Sequence, residues 1–69
     1  MPVTKFFVNN IPDSEGFHDI KDENGTIIAS ACDTNEQAYI TLEVEGFTSF
    51  QLETIYSKQD WNNIGKLIE

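Results

Sequence analysis

Hydrophobic and polar side chains alternate along several short stretches of the chain, a pattern that predicts β-strands. The first predicted strand, residues 5–8, is identified instead by its short aromatic and β-branched run. It is followed at 9–16 by a loop of turn-forming residue types that also contains Pro12. Residues 17–21 and 26–31 are two further strands, separated by Asp-Glu-Asn-Gly. That tetrapeptide is the strongest turn signal in the sequence and predicts a β-hairpin.

The turn chemistry also predicts the register of this hairpin. A type I turn with Gly25 in the left-handed bulge position pairs Asp22 with Thr26 and makes Ile20 face Ile28. The alternative is a two-residue Asn-Gly turn. We favour the first arrangement because it places two large apolar side chains opposite each other.

A second loop is predicted at 33–36. The most regular alternation follows it at residues 38–45 and resumes at 49–56, which predicts two half-buried strands. The apolar positions are Ala38, Ile40, Leu42 and Val44, followed by Phe50, Leu52 and Tyr56. A three-residue turn at 46–48 keeps both apolar sets on one face, with Val44 opposite Phe50 and Leu42 opposite Leu52. A two-residue turn would oppose Glu43 and Phe50, so we reject it.

A C-terminal helix is predicted from its start signal. Ser57 can cap the first turn, Asp60 stands at the reciprocal position of a capping box, and Tyr56 and Trp61 are spaced for a hydrophobic staple. An apolar stripe follows at helical spacing, formed by Trp61, Ile64, Leu67 and Ile68.

These elements predict an α+β fold for residues 1–69, a single small acidic domain of 7.8 kDa. The expected architecture is an antiparallel meander of four to five strands with the C-terminal helix packed on one face. The predicted core consists of Leu42, Val44, Phe50, Leu52, Trp61 and Ile64.

The charge balance narrows the classes of partner. Twelve Asp and Glu residues stand against four Lys and no Arg, for a net charge of −8. Such a chain repels nucleic-acid phosphates and anionic membranes, so we expect no direct nucleic-acid partner and no membrane partner. It favours encounter with a basic surface of another protein.

Residues that could carry catalysis or bind a cofactor are scarce. The chain has one histidine and one cysteine, too few for a zinc site or an intramolecular disulfide. We expect His18 to be a partly buried strand residue and Cys32 to be a buried or half-buried structural thiol. No calcium-loop spacing and no phosphate-binding glycine loop are present. We therefore expect no enzyme, no cofactor and no metal. The apolar N-terminal run is too short for a signal peptide, so a cytoplasmic location is expected.

A candidate binding surface lies on the outer face of the last two predicted strands. There Tyr39 and Ile55 would be cross-strand neighbours beside the carboxylates of Glu43, Glu45 and Glu53. An aromatic anchor with acidic surroundings suits docking on a basic, partly apolar surface. The alternative interpretation is a solvated sheet face that carries one shielding Tyr–Ile pair.

This surface suggests a non-catalytic protein-binding module. The specific hypothesis is a small virus- or phage-encoded inhibitor that acts in the host cytoplasm. Its carboxylates would replace phosphates and occlude the basic nucleic-acid-binding surface of a host defence or nucleic-acid-processing protein. The alternative is a structural or assembly subunit that forms homodimers or larger homo-oligomers through a strand edge, the first strand being the candidate.

Overall fold

The computed structural model describes residues 4–65, in which four strands and two short helices occur. Their bounds are β1 Thr4–Asn9, β2 His18–Lys21, β3 Ile27–Ala31, α1 Glu36–Val44, β4 Phe50–Ile55 and α2 Lys58–Asn63. The strands form one sheet in the order β3-β2-β1-β4. β1 and β2 are antiparallel, as are β2 and β3, whereas β1 and β4 are parallel. The α+β class is confirmed, but the antiparallel meander is wrong because the sheet is mixed.

The main difference from the predicted fold is that residues 38–45 are helical. Ala38 and Leu42, both fully buried, lie four positions apart and therefore share one face of a helix as readily as one face of a strand. Ile40 and Val44, predicted to lie on that same face, are 41% and 78% exposed. The predicted pairings of this segment with β4 are therefore wrong.

The start of α1 is stabilised from a residue outside the helix. The Oδ1 atom of Asp33 accepts hydrogen bonds from the backbone N–H groups of Asn35 and Gln37, each at 3.0 Å. These bonds satisfy donors that the first turn of a helix leaves without an intrahelical acceptor. The segment interpreted as a loop before a strand is thus a helix start.

The end of α1 is a Schellman motif. The N–H of Gly46 donates to the carbonyl of Glu43, and the N–H of Phe47 donates to the carbonyl of Leu42. Gly46 has a φ of 106°, a left-handed conformation that glycine adopts without steric cost. The predicted strand-to-strand turn at 46–48 is therefore a helix terminus. The chain returns from it to the sheet as the parallel neighbour of β1.

The turn between β2 and β3 is confirmed. The N–H of Gly25 donates to the carbonyl of Asp22, the N–H of Asp22 donates to the carbonyl of Thr26, and Gly25 has a φ of 84°. Ile20, however, pairs with Ala29, one residue beyond its predicted partner, because a β-bulge shifts the register next to the turn.

The first strand is central in the sheet. β1 pairs with β2 on one side and with all six residues of β4 on the other, from Thr4–Phe50 to Asn9–Ile55. Because β1 lies between β2 and β4, it is not the edge strand through which self-association was predicted. Self-association of the chain itself stays a prediction.

The two faces of the sheet carry separate apolar groups. The main cluster lies on the α1 face and consists of Phe6, Val8, Ile20, Ala31, Ala38, Leu42 and Phe50. Trp61 of α2 is also buried but lies outside this cluster. Leu42, Phe50 and Trp61 are buried as predicted. Leu52 and Ile64 are half-buried, and Val44 is exposed. The prediction that these six residues form one common core is therefore wrong.

The predicted cap of the C-terminal helix is confirmed, since the Asp60 N–H donates to Ser57 Oγ at 3.3 Å. The helix ends at Asn63, and Gly65 follows with a φ of 86°. A side chain at Gly65 would collide with the Asn24 carbonyl, so the chain beyond α2 lies against the β2–β3 turn. Leu67 and Ile68 of the predicted stripe lie outside the described residues.

Candidate functional site

The structure divides the predicted binding residues between different surfaces. Tyr39 and Glu43 lie four positions apart on one side of α1, and both are exposed. Glu45 is the C-terminal cap of the helix and is also exposed, but on a different side from Tyr39. Ile55 is only 8% exposed and cannot serve as a surface neighbour of Tyr39. Glu53 lies on β4, on the sheet face turned away from α1. The predicted single acidic sheet face is therefore wrong.

Glu53 is engaged within the domain. Its Oε1 atom lies 2.8 Å from the Nζ atom of Lys5, and both side chains are about half exposed. This ion pair offsets the charge of Glu53 locally, although a solvent-exposed pair contributes little to stability. Glu53 is consequently a weaker candidate for meeting a basic partner than the glutamates of α1.

Tyr39 connects α1 to β4. Its ring centroid is 4.5 Å from that of Phe50, and its hydroxyl donates to the Phe50 carbonyl at 3.4 Å. The side chain nevertheless remains 45% exposed. Tyr39 is thus held at a defined position while it presents aromatic surface to the outside, as an anchor residue should.

A groove of about 530 Å³ opens between α1 and β4. Its helix wall includes Glu36, Ile40 and Glu43, its strand wall includes Leu52 and Thr54, and Tyr39 contributes to its lining. The sequence interpretation missed the groove because it placed Glu36 in a loop and Ile40 in a strand core. The signal that could have revealed the helix wall is the spacing of Glu36, Ile40 and Glu43 by four and three positions.

The outer surface of α1 combines apolar and acidic side chains. Ile40 and Val44 are exposed one turn apart, and Glu36 and Glu43 are the helical neighbours of Ile40. No Lys or Arg occurs between Glu36 and Glu45. The result is an apolar patch bordered by carboxylates.

Reactive side chains do not converge in the part of the chain that the structure describes. The Nδ1 atom of His18 lies 2.8 Å from the Asn9 carbonyl oxygen, and His18 is half-buried on β2, as predicted. Cys32 is exposed rather than buried or half-buried. Within residues 4–65, no three His, Cys, Asp or Glu side chains are grouped to hold a metal ion.

No helix within residues 4–65 is long and apolar enough to cross a bilayer. The chain matches no protein-family model, and no curated protein or solved structure is detectably similar to it. The geometry and charge of the α1 surface and its groove are therefore the basis for assigning a role.

Proposed function

We propose that this domain is a non-catalytic protein-binding module that covers a basic, nucleic-acid-binding surface of another protein. The observation that carries the proposal is the outer surface of α1, where exposed Tyr39, Ile40 and Val44 are accompanied by glutamates and by no cationic residue. Such a surface is complementary to one that displays Lys and Arg around an apolar centre.

The two kinds of side chain have different roles in this proposal. Glu36 and Glu43 are seven positions apart on the helix, which places them about 10.5 Å apart along its axis and on the same side. Together with the net charge of −8, they steer the domain toward cationic surfaces. Tyr39 and Ile40 lose water on contact and supply affinity after encounter.

The binding set differs from the sequence prediction in three respects. Tyr39, Glu43 and Glu45 are retained, whereas Ile55 is removed because it is buried. Glu53 becomes peripheral because of its ion pair with Lys5. Glu36 and Ile40 join the set, since both line the groove beside Tyr39.

The biological role that we attach to this activity is inhibition of a host protein by a virus- or phage-encoded domain. Carboxylates on α1 would occupy the phosphate-binding positions of that protein, so that it could no longer bind nucleic acid. The support for this role is the sign of the charge.

The test uses the immobilised domain to capture proteins from a host-cell lysate at low and at high salt. The double variant Glu36→Lys/Glu43→Lys tests the α1 surface. The double variant Glu15→Lys/Glu23→Lys is the control, since it changes the net charge equally but in loops outside the groove. We expect one protein that is captured by the wild type and the control, is released by salt, and loses its nucleic-acid binding when the domain is added. A captured protein that still binds nucleic acid at saturating domain would contradict the proposal.

A further inference from the structure

The outer edge of β4 carries free backbone hydrogen-bonding groups. The Asn10 N–H donates to the Ile55 carbonyl at 2.8 Å, so Ile55 directs its backbone groups toward β1. Alternation along the strand then directs the N–H and C=O groups of Leu52 and Thr54 away from β1. Within residues 4–65 no further strand lies on that side, because β4 is the last strand of the sheet.

This edge lacks the features that usually prevent strand pairing. β4 keeps a regular register with β1 over all six residues and contains no proline, lysine or bulge. β3, at the opposite end of the sheet, is interrupted by a bulge. Natural edge strands are commonly blocked by such irregularities or by charged residues, and the one charged residue of β4, Glu53, is paired with Lys5. The open edge of β4 is thus a template on which another strand can be added.

Space for an added strand is present at the outer edge of β4, on both faces of the sheet. α1 packs chiefly against β3 and leaves Leu52 and Thr54 only half-buried. The groove beside α1 and a second, shallower depression beside Glu53 and Tyr56 share these two residues. The Tyr39 hydroxyl donates to the Phe50 carbonyl, so the edge is already used at that residue. The backbone groups that can pair with an added strand therefore begin beyond Phe50.

The charges around this edge indicate what kind of peptide can bind to it. Every second side chain of an added strand would point into the groove, whose charged residues are Glu36 and Glu43. We infer that β4 accepts an extended peptide segment of a partner protein, with Lys or Arg at alternate positions and β-branched residues between them. This inference rests on the proposed function and specifies how the partner is bound.

A second copy of this chain is a poorer occupant. Pairing two β4 edges would bring two sets of Glu36 and Glu43 toward one interface, in chains that each carry a net charge of −8. Like charges placed close together oppose association. The charge therefore favours a basic partner over self-association.

The test uses a terminally blocked synthetic octapeptide, Arg-Val-Arg-Thr-Arg-Val-Arg-Thr, with binding measured by fluorescence anisotropy. Two further peptides carry backbone N-methyl groups, one at the four Arg positions and one at the four positions between them. Strand addition uses the N–H groups of only one alternate set. We expect N-methylation of that set to weaken binding about tenfold or more, and N-methylation of the other set to change it little.

Protein variants provide an independent measurement. Thr54→Pro removes an N–H that points away from β1, so the sheet should remain intact while strand addition is blocked. Thr54→Val is the matched control, since it keeps the backbone donor. We expect only the proline variant to lose peptide binding, with circular dichroism unchanged. The N-methyl comparison decides the question even if the proline variant fails to fold.

The outcomes separate the mode of binding from the proposed function. Equal binding of both N-methylated peptides, with weaker binding to Glu36→Lys/Glu43→Lys, would overturn strand addition and leave the acidic binding face in place. Peptide binding that is insensitive to this charge reversal would count against both. Absence of peptide binding, or a wild-type dimer that Thr54→Pro converts to a monomer, would overturn the peptide as occupant.

Discussion

The Lys21 Nζ atom lies 4.4 Å from the centroid of the Trp61 ring and donates a hydrogen bond to the Trp61 carbonyl at 2.9 Å. One cation therefore joins β2 to α2 through both the ring and the backbone of the same residue. A cation over an indole ring and a charged donor on a helix carbonyl are each favourable. α2 is short, so this contact is a principal attachment of the helix to the sheet.

Removing this cation should loosen α2. We expect Lys21→Met, which keeps most of the aliphatic stem, to lower the free energy of unfolding by about 1–2 kcal/mol. The control is Lys58→Met at the exposed first position of α2, which should change it by less than about 0.5 kcal/mol. Urea denaturation followed by Trp61 fluorescence measures both. If the two substitutions lowered the free energy of unfolding equally, the contact of Lys21 with Trp61 would not be an attachment of α2 to the sheet.

Core substitutions should distinguish the helix from the predicted strand. Leu42 is fully buried on α1, so Leu42→Ala should cost about 2–5 kcal/mol. Val44→Ala should cost less than about 0.5 kcal/mol because Val44 is 78% exposed. Leu52→Ala should fall between them, at about 1–2 kcal/mol, since Leu52 is half-buried. A large loss for Val44→Ala, measured by chemical denaturation, would favour the strand instead.

Added salt should raise the stability of the domain. A net charge of −8 produces repulsion in the folded state, and counterions screen it. We expect the thermal midpoint to rise as sodium chloride is added, and to rise less in the charge-reduced variant Glu43→Gln/Glu45→Gln. A midpoint that falls steadily with salt would show that attractive pairs such as Lys5–Glu53 dominate.

Strong acid should destabilise the loop between β1 and β2. The backbone N–H groups of Phe17 and Glu15 donate to the Asp13 carboxylate and lower its pKa below the usual value near 3.8. The folded pKa is thus below the unfolded one. The resulting stabilisation is present above the unfolded value and is lost as the pH falls through the folded pKa.

The measurement is the denaturation midpoint as a function of pH for the wild type and Asp13→Asn. We expect the wild type to lose more stability than the variant as the pH falls below about 4. Parallel curves for the two proteins would show that Asp13 does not contribute to the acid transition.

Once a binding partner has been identified, substitutions on the α1 surface should distinguish residues that speed association from residues that slow dissociation. Glu45→Lys should slow association and reduce its salt dependence, because a peripheral charge acts before contact. Tyr39→Ala should mainly accelerate dissociation. Glu15→Lys, in the loop between β1 and β2, is the control that should leave both rates nearly unchanged. Surface plasmon resonance gives the two rates, and unchanged rates for all variants would place the interface elsewhere.

Part of the candidate site was predictable from the sequence. Tyr39 and Glu43 were identified together, and they remain neighbours because positions four apart share a face of a helix as well as of a strand. Glu45 belongs to the same helix terminus, but it is six positions from Tyr39 and projects from a different side. Ile55 and Glu53 were assigned by a cross-strand register that does not exist. The groove depends on the packing of α1 on the sheet beside β4, which no local pattern of residues determines.

The sequence by itself determined the elements that local hydrogen bonds stabilise. The turn at Asp22 to Gly25 and the cap at Ser57 are formed by neighbouring residues, so their residue types predicted them. The conformation of residues 38–45 was decided by the tertiary structure. The spacing of Ala38 and Leu42 fits the period of a helix as well as that of a strand. In the structure the helix is the conformation that buries both residues against the sheet. With that segment helical, β4 pairs in parallel with β1, and its free edge lies beside the acidic groove.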